Sequence, residues 1–149
     1  MMEHTGIGIA RISDNICYYS QRVYYSDTDA GGIVYHSRYL DFTEHARTEL
    51  LRTLGIDQSE ALKEASQAFV VRSLSIDYAI PAILDDLLTI ESQVLKCGRF
   101  SMLIEQRITR GDTTLAVQET KVGHVDLKTG RPLPVPERVR ELFLMIKKS

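Results

Sequence analysis

Hydrophobic and polar positions along the chain follow two different periods. From Tyr39 the apolar residues Phe42, Ala46, Leu50 and Leu54 follow at steps of three and four, while Arg38, Asp41, Arg47 and Arg52 fall off that stripe. The spacing predicts one long amphipathic helix, and Gly55 stands just past it, where a C-terminal glycine belongs. A weaker second helix is predicted over roughly 58–66. Elsewhere the pattern alternates. The run from Ile16 to Tyr25 is rich in β-branched and aromatic residues that suit a pleated surface. Leu74, Ile76, Tyr78 and Ile80 alternate with Ser73, Ser75, Asp77 and Ala79 until Pro81 closes the strand. Leu88, Ile90 and Val94 continue in a second strand of this set. Phe100, Met102, Ile104, Gln106 and Ile108 share one face of a third, joined through the tight Cys97-Gly98-Arg99 link. Arg110-Gly111-Asp112 turns into a fourth strand, Thr113 to Asp126, and Pro136 opens a last helix with Val139, Leu142, Phe143 and Ile146 on its apolar side.

One long helix and one sheet, each with a single apolar face, pack most simply by laying the helix on the sheet. Strands of ten or more residues twist, so the sheet must curl. The expected class is α+β: a long central helix wrapped by a curved antiparallel sheet of about five strands. Residues 1–14 show no sustained period and are expected to form a loosely ordered tail, leaving 15–149 as a single domain.

Composition narrows the partners more than the fold. The chain has 149 residues, a formal net charge of -2 and 44% hydrophobic residues, which suits one globular domain. That charge offers no electrostatic reason to expect nucleic acid or an anionic membrane as a main partner. No apolar stretch of membrane-spanning length occurs, so stable membrane insertion is not expected. The first residues lack the basic and apolar regions of a signal peptide. Cys17 and Cys97 stand apart, without paired spacing. They read as free thiols in a reducing compartment, and the expected location is the cytoplasm.

The densest chemistry lies in Tyr24-Tyr25-Ser26-Asp27-Thr28-Asp29-Ala30-Gly31-Gly32-Ile33-Val34-Tyr35-His36. Aspartate on a turn directly before a helix puts a carboxylate beside unpaired backbone N–H groups. Those groups, with the helix dipole, can polarise a bound carbonyl and stabilise the oxyanion that forms. The glycines let the backbone bend and let a substrate come close. A leaving group as acidic as a thiol, with a pKa of about 8.5, would depart without a strong proton donor. One carboxylate and one helix end are then chemically sufficient. An opening of D-T-D-A-G-G also suggests a calcium loop, but that loop needs Asp or Asn at its fifth position and Glu at its twelfth, and here those hold Gly31 and Arg38. With no zinc spacing and no phosphate-binding glycine loop either, no cofactor is expected.

This segment resembles the signature loop of the 4-hydroxybenzoyl-CoA thioesterase family, closest to its bacterial subgroup associated with the Tol-Pal envelope system. Tyr39-Leu40-Asp41-Phe42-Thr43-Glu44-His45-Ala46-Arg47 resembles the family's central helix, and Asp77 to Ala82 with Asp85-Asp86-Leu87 its sheet strands. The resemblance implies a hotdog fold, an acyl-CoA thioesterase activity and a homo-oligomer, dimer or tetramer, with active sites at subunit boundaries. It implies that Asp29 rather than Asp27 is the catalytic carboxylate, as nucleophile or as general base, and that His36 lies at the site. Tyr35 would line the acyl pocket or simply pack, Gly32 would let the substrate approach the backbone, and Lys96, Arg99 and Ser101 would contact coenzyme A. Glu44 would orient His36 or pair with Arg47 or Arg38. Alternatives are an acyl-carrier-protein thioester as substrate, a hotdog dehydratase, and a non-enzymatic acyl-CoA-binding module.

Overall fold

The computed structural model describes residues 6–149. Its strands are β1 (Ala10–Ser13), β2 (Ile16–Arg22), β3 (Gln67–Tyr78), β4 (Leu87–Cys97), β5 (Ser101–Arg110) and β6 (Thr113–Asp126). The helices are α1 (Arg38–Thr53), α2 (Gln58–Ala65) and α3 (Glu137–Leu144). The strands form one antiparallel sheet in the order β1-β2-β4-β5-β6-β3.

The sheet thus has six strands rather than about five. The extra one, β1, falls inside the stretch expected to be a loose tail, whose first five residues lie outside the described part. Ser13 pairs with Ile16 across a two-residue turn in which Asp14 and Asn15 take φ of 50° and 57°. Asp and Asn tolerate that left-handed geometry, so Asp-Asn makes a hairpin turn where a glycine is usual. β2 also stops sooner than expected, at Arg22, and Tyr25–Asp27 form a short 3-10 turn.

The stripe predicted for α1 is its buried face: Tyr39, Phe42, Ala46, Leu50 and Leu54 all lie in the core. Gly55, at φ +81°, ends the helix in a Schellman motif, with its N–H on the Arg52 carbonyl at 3.0 Å and that of Ile56 on the Leu51 carbonyl at 2.9 Å. The core falls into two clusters. One, around Tyr39, Phe42, Ile90, Ile108 and Leu115, sits under the first half of α1; the other, around Leu50, Val94, Met102 and Phe143, under the second half.

Between the clusters runs a buried polar seam. Thr43 Oγ donates to Gln118 Oε1 at 2.9 Å, and Gln118 Nε2 donates to Thr120 Oγ at 2.7 Å. Gln106 Nε2 donates to the Thr43 carbonyl at 2.9 Å and to Ser92 Oγ at 3.1 Å, while its Oε1 accepts from Arg47 Nη1 at 3.0 Å. Since a buried polar group left unpaired costs ~1–3 kcal/mol, this seam pins the helix to one axial position on β4, β5 and β6.

β3 behaves differently from its expected half-buried pattern. It pairs only with β6, and Val71, Leu74, Tyr78 and the following Ile80 are exposed. Phe69 and Ile76 still pack against the core, but Val71, Leu74 and Tyr78 are left uncovered on the sheet's long free edge. Among the described residues, no helix is long and apolar enough to cross a membrane.

Candidate active site

The loop between β2 and α1 is a compact set of backbone turns clamped by Asp27. That carboxylate is nearly buried, accepts the Tyr24 N–H at 2.9 Å and lies 3.8 Å from Arg38 Nε. The Asp27 carbonyl accepts the Tyr35 N–H at 2.9 Å, so one residue ties the start of the loop to the start of the helix. Isolated bridges join Thr28 to Val34 and Ile33 to Ile83, docking the loop on the chain that leads into β4.

Asp29 stands at the tip of this frame. Its N–H donates to the Ile33 carbonyl at 2.9 Å and its carbonyl accepts from Gly32 at 3.0 Å, so the backbone is fixed. Gly32 completes the turn at φ +80°, which a side chain would strain. The carboxylate is exposed; Oδ1 accepts the Gly31 N–H at 2.9 Å, and Oδ2 has no protein partner among the described residues. One oxygen orients the group and the other is available for chemistry.

α1 begins without a side-chain cap: Ser37 holds helical φ and ψ and makes no capping bond. The N–H groups of His36 and Ser37 donate to no acceptor among the described residues, which leaves two donors and the positive end of the helix dipole open beside the loop. The His36 ring is exposed and tilts against Tyr35 at 4.5 Å between centroids. An apolar cavity of about 230 Å³ opens next to it, lined by Ile33, Tyr39, Tyr78, Ile80 and Pro81.

Asp29, Gly32, Tyr35 and His36 are therefore gathered at one end of the molecule, whereas Lys96, Arg99 and Ser101 are not with them. These three flank the β4–β5 turn, at the opposite end of β4 from Leu87, and eleven residues of strand put roughly 30 Å between the two ends. Arg99 packs over the Phe100 ring at 5.2 Å, and the Ser101 carbonyl accepts the Gly98 N–H at 2.8 Å. Glu44 accepts from Thr48 at 3.2 Å and pairs with neither Arg47 nor Arg38; Arg38 is held by Asp27 and Asp41. Nor does any bond join it to His36.

Two residues at this end were read only as strand residues. Tyr78 donates its hydroxyl to the His36 carbonyl at 2.8 Å, and Asp86 pairs with Arg110 at 2.6 Å while accepting the Ile83 N–H at 2.9 Å. A tyrosine closing an alternating run just before Ala79-Ile80-Pro81 was the available signal for the first. Among the described residues no three His, Cys, Asp or Glu side chains converge as a metal site would require.

A six-stranded antiparallel sheet carrying one long helix, with an acidic loop at that helix's open end, is a hotdog-type architecture. Residues 23–143 match the thioesterase-like superfamily, and the chain belongs to it. It is 47% identical over 134 residues to the acyl-CoA thioesterase YbgC of Haemophilus influenzae, covering 90% of this chain and 98% of that protein. It is 35% identical over 120 residues to the long-chain acyl-CoA thioesterase FadM of Escherichia coli, covering 76% and 87%. Among solved structures, a probable thioesterase from Bartonella henselae superposes with a TM-score of 0.76 at 33% identity, over 80% of this chain and 98% of that one.

Proposed function

We propose that this enzyme hydrolyses acyl-CoA thioesters, with Asp29 as the catalytic carboxylate and the open N–H groups of His36 and Ser37 polarising the thioester carbonyl. The observation that carries the reading is the free carboxylate oxygen of Asp29 on a loop that Asp27 ties to the uncapped start of α1. The names of the acyl-CoA thioesterases to which the chain is similar, and its resemblance to the 4-hydroxybenzoyl-CoA and Tol-Pal-associated group, support the same substrate class.

Either of two routes balances. Asp29 adds to the thioester carbon, the thiolate leaves, and water cleaves the resulting anhydride; or Asp29 takes a proton from water as its oxygen adds, and the thiolate then leaves. In both, negative charge builds on the carbonyl oxygen, where the two N–H groups stabilise it most. The cavity beside His36 and Tyr35 receives the acyl group. An acyl-carrier-protein thioester fits the same chemistry.

The functional unit we infer is a homo-oligomer. β3 leaves a twelve-residue edge with exposed Val71, Leu74 and Tyr78, a surface suited to pairing with a second copy. If two copies of β3 pair antiparallel, the second copy's β4–β5 turn comes to the same end as the first copy's Asp29. Lys96, Arg99 and Ser101 would then meet coenzyme A from across the interface. Free Cys17 and Cys97 suit the reducing cytoplasm.

The test is steady-state hydrolysis of a panel of acyl-CoAs by the wild type, Asp29→Asn and Asp27→Asn. Asp29→Asn should lower kcat by at least about a hundredfold while remaining folded and binding a product analogue. Asp27→Asn should act mainly through stability. Near-normal turnover by a folded Asp29→Asn protein rules the mechanism out.

A further inference from the structure

Tyr78 closes β3 and stands against the first turn of α1. Its ring meets the Tyr39 ring edge to face, at 5.1 Å between centroids and 73° between planes. Tyr39 is buried, and its hydroxyl accepts the Ala82 N–H at 2.9 Å. Just beyond Tyr78, the Ala79 and Ile80 N–H groups both donate to the Leu115 carbonyl, at 2.8 and 3.1 Å. The Tyr78 side chain is therefore held between a packed helix residue and a pinned strand end before any substrate arrives.

Its hydroxyl donates to the His36 carbonyl at 2.8 Å, and that oxygen accepts from no other group among the described residues. The neighbouring donors pass it by: the Arg38 N–H goes to the Tyr35 carbonyl at 2.9 Å and the Leu40 N–H to the Ser37 carbonyl at 3.1 Å. A peptide group is planar and trans, so the His36 carbonyl and the Ser37 N–H form one rigid unit and point in opposite directions. A donor on that oxygen fixes the direction of the N–H. It also draws charge across the unit, which makes the N–H a stronger donor. Ser37 makes no capping bond, and its N–H is one of the two open donors at this helix start.

We propose that Tyr78 is a positioning residue for thioester hydrolysis: its hydroxyl orients and polarises the peptide between His36 and Ser37, so that the Ser37 N–H stabilises charge on the thioester oxygen. This role rests on the reading that the Ser37 N–H meets the thioester carbonyl, and it names the group that prepares that donor. Charge on the oxygen is largest in the transition state, so the bond lowers the barrier more than it strengthens substrate binding. Burial pushes the Tyr78 hydroxyl above the usual tyrosine pKa, with Tyr39 adding to the effect, so the group remains a donor at neutral and mildly alkaline pH.

The test is Tyr78→Phe in the full-length protein, which removes the hydroxyl and keeps the ring against Tyr39 and on the cavity wall. For the acyl-CoA turned over fastest, kcat should fall about three- to tenfold, the range of one hydrogen bond, with KM changed by less than about twofold. Two measurements need no turnover. The amide nitrogen resonance of Ser37 should move when the hydroxyl is lost. The second probe is the ketone analogue of hexanoyl-CoA, in which a methylene separates carbonyl and sulfur. Its bound carbonyl should absorb at lower infrared frequency with the wild type than with Tyr78→Phe. An unmoved Ser37 resonance, equal carbonyl bands, an unchanged kcat, or a KM rise that accounts for the lost activity overturns the proposal. The ketone is not hydrolysed, so its band is read whether or not Asp29→Asn abolishes turnover, and failure here is separable from failure of the Asp29 mechanism.

Discussion

The two ends of α1 are held in opposite ways. At the C-terminal end, Gly55 closes a Schellman motif, and Leu50, Leu51 and Leu54 are buried in the cluster with Met102 and Phe143. At the N-terminal end, Ser37 makes no capping bond and the N–H groups of His36 and Ser37 are left open. A helix tied down at one end and seamed to the sheet at Thr43 tolerates an uncapped start, which elsewhere costs ~1 kcal/mol. The difference teaches how one helix can be anchored unevenly: packing secures the far half, and the near half leaves open the two donors to which the proposed mechanism assigns the thioester carbonyl.

The sharpest way to break this contrast is Leu50→Ala. It should cost about 2–5 kcal/mol in chemical denaturation through lost burial and an unfilled cavity, while the remaining folded enzyme keeps its turnover. A loss under about 0.5 kcal/mol would show that this half of α1 is not the core. Asp29→Asn should do the reverse, with at least about 2.7 kcal/mol of added activation free energy for the hundredfold rate loss and little change in stability.

Smaller effects test the same asymmetry. Gly55→Ala forces a side chain into φ +81° and should cost about 1–2 kcal/mol, read as a lower Tm with kcat unchanged. Cys17, in the far cluster, has its thiol pKa pushed up from 9.0 to about 12, mainly by burial. The folded chain therefore keeps that proton while the unfolded chain loses it above pH 9, so the stabilising contribution is intact at neutral pH and falls as pH rises from 9 towards 12. Between pH 8 and 10 the wild type should lose about 1.4 kcal/mol more than Cys17→Ala. Parallel stability curves for the two proteins would remove Cys17 from the account.

Legibility varied with the range of the interactions involved. The stripe of α1, Gly55 and the DTDAGG turn could be read directly because each depends on neighbours within a few residues. β1 was missed because four residues of mixed character have no period of their own, and their turn uses Asp14-Asn15 rather than glycine. Gln106 was read on the apolar face of its strand, correctly placed, yet nothing local shows that it meets Arg47 and Thr43.

The amino-acid sequence by itself determined the helix and its buried face, the turns that join the long strands, and the acidic loop that resembles a thioesterase signature. Strand pairing decided the rest. It placed β3 at a free edge with Val71, Leu74 and Tyr78 uncovered, set Lys96, Arg99 and Ser101 at the opposite end of the sheet from Asp29, and brought Arg47 onto Gln106 with no ion pair among the described residues. Those outcomes rest on contacts between residues tens of positions apart, and periodicity along a chain carries no record of which distant strand a given strand will meet.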